Sequence, residues 1–254
     1  MASSGSGYDL SPTTFSPDGR IFQVEYASKA VASSGTSVGL KVKDGVVLVT
    51  EKILTSKMLV PGSSRRVHGL DRHAGCSITG LISDGRQLVN RGREEASNYV
   101  DTYGIRSPPV VLCERLSSFA HYFTLHGALR PFGATAMVAA YDEDEKDYSL
   151  HMIEPSGQAY KYYGCAAGKG RQGAKTEIEK LDLQALSCEE GLAAAVKVVL
   201  QMRDDNKDKP MELEAGWCRD GKYSKVPDGV LKDAEKKGRE ELEEEEDMDE
   251  DEDE

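Results

Sequence analysis

The chain has 254 residues, 39% of them hydrophobic, with 11 Tyr and 5 Phe: enough apolar material for one large core or two small ones. Its formal charge of -12 is uneven: of 44 acidic residues, thirteen fall among the fifteen from Glu240 to Glu254, leaving 31 acidic against 32 basic side chains before them. A near-neutral body with an acidic end argues against nucleic-acid binding, and no apolar run approaches the ~18 residues of a membrane helix.

Five cysteines (Cys76, Cys113, Cys165, Cys188 and Cys218) are odd in number, widely spaced and without a CxxC pair. They read as reduced thiols, which places the chain in the cytoplasm and nucleus rather than outside the cell. The amino-terminal stretch does not have the pattern of an apolar leader.

Phe15-Ser16-Pro17-Asp18-Gly19-Arg20 predicts a turn, because Pro17 presets φ and Gly19 accepts positive φ. Phe22, Tyr26 and Lys29-Ala30 follow at helical spacing, predicting a short amphipathic helix. Val38, Leu40 and Val42 alternate with smaller or polar residues as in a strand, Lys43-Asp44-Gly45 turns the chain, and Val46–Val49 returns. Residues 53 to 69 read as irregular, with a loop at Pro61-Gly62-Ser63-Ser64, before a strand over Cys76–Thr79. Two helices follow, one over Ser83–Tyr103 and one announced by Pro108-Pro109 with Leu112, Leu116, Phe119, Ala120 and Phe123 on one face. Arg130-Pro131-Phe132-Gly133 ends the second helix.

Strands are then expected over Ala134–Tyr141, Tyr148–Ile153 and Gln158–Tyr163, and helices over Arg171–Leu181 and Ser187–Arg203. The last of these opens on the capping box Ser187-x-x-Glu190. Met211–Cys218 reads as a closing strand, and Asp228 as the cap of a helix entering the tail. Hairpins imply antiparallel sheets, and each helix pair requires a sheet face. The expected fold is therefore α+β, two stacked antiparallel sheets between two helical layers.

The segment from Tyr8 to Ala27, YDLSPTTFSPDGRIFQVEYA, closely resembles the N-terminal signature of alpha-type subunits of the proteasome core particle. Further matches are Gly35-Thr36, Lys43-Asp44-Gly45, Gly80-Leu81, Arg93-Glu94-Glu95-Ala96, Arg130-Pro131-Phe132-Gly133, Pro155-Ser156-Gly157 and Lys175-x-Glu177. The resemblance implies the Ntn-hydrolase-type four-layer αββα sandwich. It divides the chain into an N-terminal gate tail and helix (1–34), an Ntn-hydrolase-like domain (35–235) and an acidic, disordered tail (236–254). The acidic tail is similar to that of the family member at the seventh ring position.

Active members of that superfamily attack an amide with an N-terminal Thr, Ser or Cys whose freed amine serves as base, aided by a Lys and a carboxylate. Aligned through the first hairpin, the nucleophile position falls on Gly35, the carboxylate on Glu51 and the Lys on Arg66. Glycine has no nucleophile, and a guanidinium stays protonated and cannot exchange a proton as Lys does. The expectation is a non-catalytic member without catalytic residues. The competing reading is a self-processing amidohydrolase cleaved after Gly35, with Thr36 as nucleophile.

Other motifs point away from cofactors and metals. Gly168-Lys169-Gly170-Arg171-Gln172-Gly173 spells GxGxxG, but late in an antiparallel region and without a βαβ unit, so a strand-to-helix turn is the expected reading. Asp142-x-Asp144 lacks the Gly of a calcium loop and has Ile153 in place of its Glu. His73-x-x-Cys76, His121 and His126 lack partners at ligand spacing.

The resemblance further implies other alpha subunits in a seven-membered ring, beta subunits of inner rings and regulatory caps as partners, with no nucleic acid or membrane. Residues matching Tyr8, Asp9, Pro17 and Tyr26 form the family's gate cluster, here with Leu10 where a basic residue is frequent. Glu25, Arg66 and Gly80 match positions lining the pockets that receive cap tails, with Arg66 in place of a Lys. The run of like charge in the tail repels itself and cannot bury apolar area.

Overall fold

Residues 7–60, 62–203 and 209–252 are described by a computed structural model. In chain order the elements are α1 (Phe22–Ala32), β1 (Ser37–Val42), β2 (Gly45–Ile53), β3 (Val67–Asp71), β4 (Ala74–Gly80), α2 (Ile82–Tyr103) and α3 (Pro109–Tyr122). There follow β5 (Ala134–Asp142), β6 (Asp147–Ile153), β7 (Ala159–Tyr162), β8 (Gly164–Ala167), α4 (Arg171–Glu179), α5 (Cys188–Gln201), β9 (Met211–Arg219), β10 (Lys222–Lys225) and α6 (Asp228–Glu252).

Strand alternation decides the layering. Val38, Leu40 and Val42 of β1 and Val47 and Val49 of β2 pack against α5 residues such as Leu192, Val196 and Val199. Val46 and Leu48 of β2 face the other way, onto Met137, Ala139, Leu150 and Met152 of the second sheet. The first sheet has the order β10-β9-β2-β1-β8 and the second β3-β4-β5-β6-β7, with every pairing antiparallel. On the far side of the second sheet, Leu88 and Val89 of α2 and Leu112 and Leu116 of α3 cover Ile78, Val138 and Ile153. The result is the expected αββα sandwich, with β2 buried on both faces.

Several elements differ from the sequence expectation. The stretch read as irregular from 53 to 69 contains the start of β3, an edge strand too short and too polar to show a period. The chain crosses between the sheets at Tyr163, so β7 and β8 are separate strands in different sheets. An unexpected hairpin joins β9 to β10, built on positive φ at Asp220 (52°) and Gly221 (70°), the conformation an Asp-Gly pair favours. The capping box stands as expected: Glu190 N–H donates to Ser187 Oγ, and Ser187 N–H donates to the Glu190 carboxylate at 2.8 Å.

Both expected domain boundaries fall inside packed structure. Val31 of α1 belongs to the core between the sheets, so α1 packs as part of the sandwich. The boundary at 235/236 lies within α6, where Gly238 approaches Leu200 and Leu242 packs on the first sheet's helical layer.

Two contacts hold the layers in register. Between the sheets, a Cβ on Gly75 would stand 2.2 Å from the ring of Tyr223, and one on Gly216 would stand 2.2 Å from its hydroxyl. Only glycine admits that ring. At the start of α2, Asp84 accepts from Arg130 Nη1 (2.6 Å) and Nη2 (2.8 Å) and from Gly133 N–H (2.8 Å). Those bonds, first of all from Arg130, hold the Asp84 carboxyl below its usual pKa.

Gly75→Ala is expected to destabilise the chain by about 1–3 kcal/mol in urea unfolding, and the double variant with Tyr223→Ala by less than the sum of the two changes. Because the folded pKa of Asp84 is depressed, its contribution is present above the ordinary carboxylate range and lost as pH falls through it. Asp84→Asn should lower stability at neutral pH and flatten its decline below about pH 4, read from unfolding curves across pH.

Candidate functional site

A cavity of about 500 Å³ opens where the end of α1, β2, the loop before β3, the β8–α4 loop and the end of α5 converge; Gly35, Thr36, Glu51, Arg66, Lys169 and Met202 are among its lining. The positions aligned with the nucleophile, carboxylate and Lys of an active enzyme therefore do meet in space.

Their bonding is not that of a nucleophile. Thr36 is 2% exposed, and its N–H is the amide of the Gly35–Thr36 peptide, donating to Glu51 Oε2 at 2.8 Å. The Thr36 hydroxyl oxygen accepts from Gly170 N–H at 3.0 Å. Glu51 N–H donates back to Thr36 O at 2.8 Å. A second buried charge, Arg203, forms an ion pair with Glu51 Oε1, the two side chains being 6% and 7% exposed. Glu51 is thus engaged on both oxygens. The place of the proton-exchanging Lys is taken by Arg66, whose Nη1 donates to Gly80 O at 2.6 Å and more weakly to Ile78 O at 3.5 Å. Burial lowers the Arg66 pKa, opposed by the charge of Glu214. Glu214 also accepts from the Arg66 and Val67 amides at 2.7 and 3.3 Å, fixing the strand entry that carries the guanidinium.

The N-terminal segment forms a second cluster. Around Pro17 the turn closes through Gly19 N–H to Ser16 O and Ser16 N–H to Arg20 O, both 2.9 Å, with Gly19 at φ +74°. Tyr26 hydroxyl donates to Asp9 Oδ2 at 3.2 Å, and Gln23 Nε2 donates to Asp9 O. Tyr8 and Pro17 are exposed, and no hydrogen bond or ring contact among the described residues ties them to that pair. Of the three pocket candidates, Arg66 and Gly80 are bonded to each other. Glu25 instead pairs with Arg20 near the start of α1, which lowers the Glu25 pKa.

Arg203, Gly170 and Met202 were not singled out from sequence as parts of this site. Arg203 lies 152 positions from Glu51 and gives no local sign of the pairing. The glycines of the β8–α4 loop do give a sign, though β8 runs antiparallel to β1 and the loop joins no parallel strands. His73 is bonded through Nδ1 to Asp71 (2.9 Å) and Nε2 to Ser107 O (2.8 Å), both inside the fold. Among the described residues no group of three or more His, Cys, Asp or Glu side chains is placed to hold a metal.

Two antiparallel sheets between helical layers, with glycine at the nucleophile position and the Thr36 amide held in a continuous peptide, define a hydrolase-type sandwich without a nucleophile at that position. The chain belongs to the proteasome subunit family: the family described as Proteasome subunit matches residues 31–218, and the N-terminal signature of its A-type members matches residues 8–30. It is 51% identical over 247 residues to Proteasome subunit alpha type-3 of Arabidopsis thaliana, covering 96% of this chain and 98% of the relative. Identity to Proteasome subunit alpha type-3 of Acanthamoeba castellanii is 53% over 244 residues, covering 95% and 96%. The Probable proteasome subunit alpha type-7 of Saccharomyces cerevisiae is 47% identical over 221 residues, covering 86% and 76%.

Glu51→Ala would remove the carboxylate shared by the Thr36 amide and Arg203, whose Nη2 keeps its bond to Lys209 O. A loss of about 1–3 kcal/mol is expected in chemical unfolding, with Arg203→Met in the same chain recovering part of it.

Proposed function

We propose that this chain is a scaffold and gate subunit of the outer ring of a proteasome core particle, at the seventh position of a seven-membered ring. Its neighbours are other alpha subunits, beta subunits of the inner rings lie beneath it, and regulatory caps dock above it, in the cytoplasm and nucleus. Membership of the alpha type makes it a non-catalytic member of a threonine-protease complex. The observation that carries this reading is the Gly35–Thr36 peptide, whose amide is bonded to Glu51 and whose hydroxyl accepts from Gly170. An internal amide cannot serve as the base that a free terminal amine would supply. The self-processing alternative is therefore not favoured.

Within that role, Tyr8, Asp9, Pro17 and Tyr26 form the gate cluster. The Tyr26–Asp9 bond supports the reading, since it anchors the leading segment to α1. The 500 Å³ cavity receives the carboxylate end of a cap tail, with Arg66 as the cation and Gly80 as its support. The bond to Gly80 O orients the guanidinium. The run of like charge past Leu242 attracts basic segments of partners.

Labelling the assembled particle with a threonine-directed covalent inhibitor should modify partner chains, while this chain keeps residues 7–34 and gains no adduct by intact mass. An adduct on Thr36, or loss of the leading segment, would favour the alternative. Arg66→Ala should weaken docking of a cap-tail peptide at this position by about tenfold, and Tyr26→Phe should reduce cap-stimulated peptide hydrolysis about threefold to tenfold.

A further inference from the structure

The GxGxxG segment lies against the chain's own backbone. Lys169 N–H donates to Ser34 O at 2.9 Å, and Gly170 N–H donates to Thr36 Oγ1 at 3.0 Å. Gly168 has φ +96°, and a Cβ there would stand 2.2 Å from Gly35 O. A Cβ on Gly170 would stand 2.6 Å from Met202 Cβ and 2.8 Å from Thr36 Oγ1. These glycines permit close backbone approach, the same physical use the motif has around a pyrophosphate. Here the approached group is the chain's own Ser34–Thr36 segment.

We propose that the loop from Gly168 to Gly170 is a backbone clamp that grips Ser34–Thr36 and thereby sets the position of α1. The linkage is short. Only Ser33 separates the last residue of α1, Ala32, from the gripped segment, and both Ser33 and Ser34 are bonded back into the helix: Ser33 N–H to Lys29 O at 3.0 Å and Ser34 Oγ–H to Val31 O at 2.7 Å. At the opposite end of α1, Gln23 and Tyr26 hold Asp9. A helix of 11 residues, about 16 Å long, thus spans from the clamp to the anchored leading segment. The clamp also borders the cavity through Lys169, beside the gripped Ser34 and Met202 at the end of α5. Its consequence for cap docking rests on the functional reading above; the grip itself does not. Thr36 is a positioning residue in this scheme, acting through its hydroxyl oxygen.

The test is hydrogen exchange by mass spectrometry on the full chain assembled with its partner subunits. Thr36→Val keeps the side-chain shape and removes the acceptor, leaving Gly170 N–H unpaired. Exchange in peptides covering 22–34 and 168–173 should quicken by about tenfold or more, with β2 and β9 unchanged. Thr36→Ser, which keeps the oxygen, should stay within about threefold of the parent. Gly170→Ala should loosen the same two segments, whereas Gly173→Ala, facing only the flexible end of Met202 at 2.5 Å from its Sδ, should not. Unchanged exchange in Thr36→Val, equal loosening in Thr36→Ser or Gly173→Ala, or a uniform rise across β2 and β9 would overturn the clamp. A chain that fails to enter a ring particle would count against the functional reading alone, and the exchange comparison then applies to the purified full chain.

Discussion

The carboxylate of Glu51, buried near the end of β2, the central strand of the first sheet, is the constraint around which the site is organised. One oxygen takes the amide of Thr36 and the other takes the guanidinium of Arg203. A buried charge is tolerated only when its partner and its hydrogen bonds are supplied together, and here both come from the chain itself. The same two contacts join the start of β1, the end of β2 and the end of α5. Because the amide is part of a continuous peptide, the pairing that would orient a catalytic lysine instead secures the chain that precedes β1. Chemistry is lost and placement is gained at one set of atoms.

That constraint works only because the sheets lie so close. β2 is buried on both faces, and Gly39, Gly75 and Gly216 each leave room for a side chain from a neighbouring or facing strand. Leu150 and Leu48 occupy the space beside Gly39, while Tyr223 occupies that beside Gly75 and Gly216. The Ser33–Thr36 segment that lines the cavity follows directly on α1, the helix that holds Asp9, so the cavity wall and that helix are adjoining parts of one close-packed body.

The sandwich was legible in the sequence wherever a residue pattern has a local cause. Val38, Leu40 and Val42 alternate because one face of β1 is covered by a helix; Ser187-x-x-Glu190 caps α5 because the orphan amides of a helix start need acceptors. β3, β8 and β10 escaped because four or five residues at a sheet edge or a crossing carry too short a pattern to show a period. At the site, the alignment of Gly35, Glu51 and Arg66 was readable through the first hairpin. The hydrogen bond from Arg66 to Gly80 was not, since it depends on where the chain before β3 lies relative to the end of β4.

By itself, the order of residues determined which segments turn, which cap, which bury one face, and that no free nucleophile stands at the aligned position. Those are short-range consequences of side-chain size, φ preference and charge. Tertiary structure alone decided that Arg203 neutralises Glu51 from 152 positions away, and that a glycine-rich loop closes on Ser34–Thr36. Such contacts have no local signature, because a buried charge or a close backbone approach is defined by what the rest of the fold brings beside it.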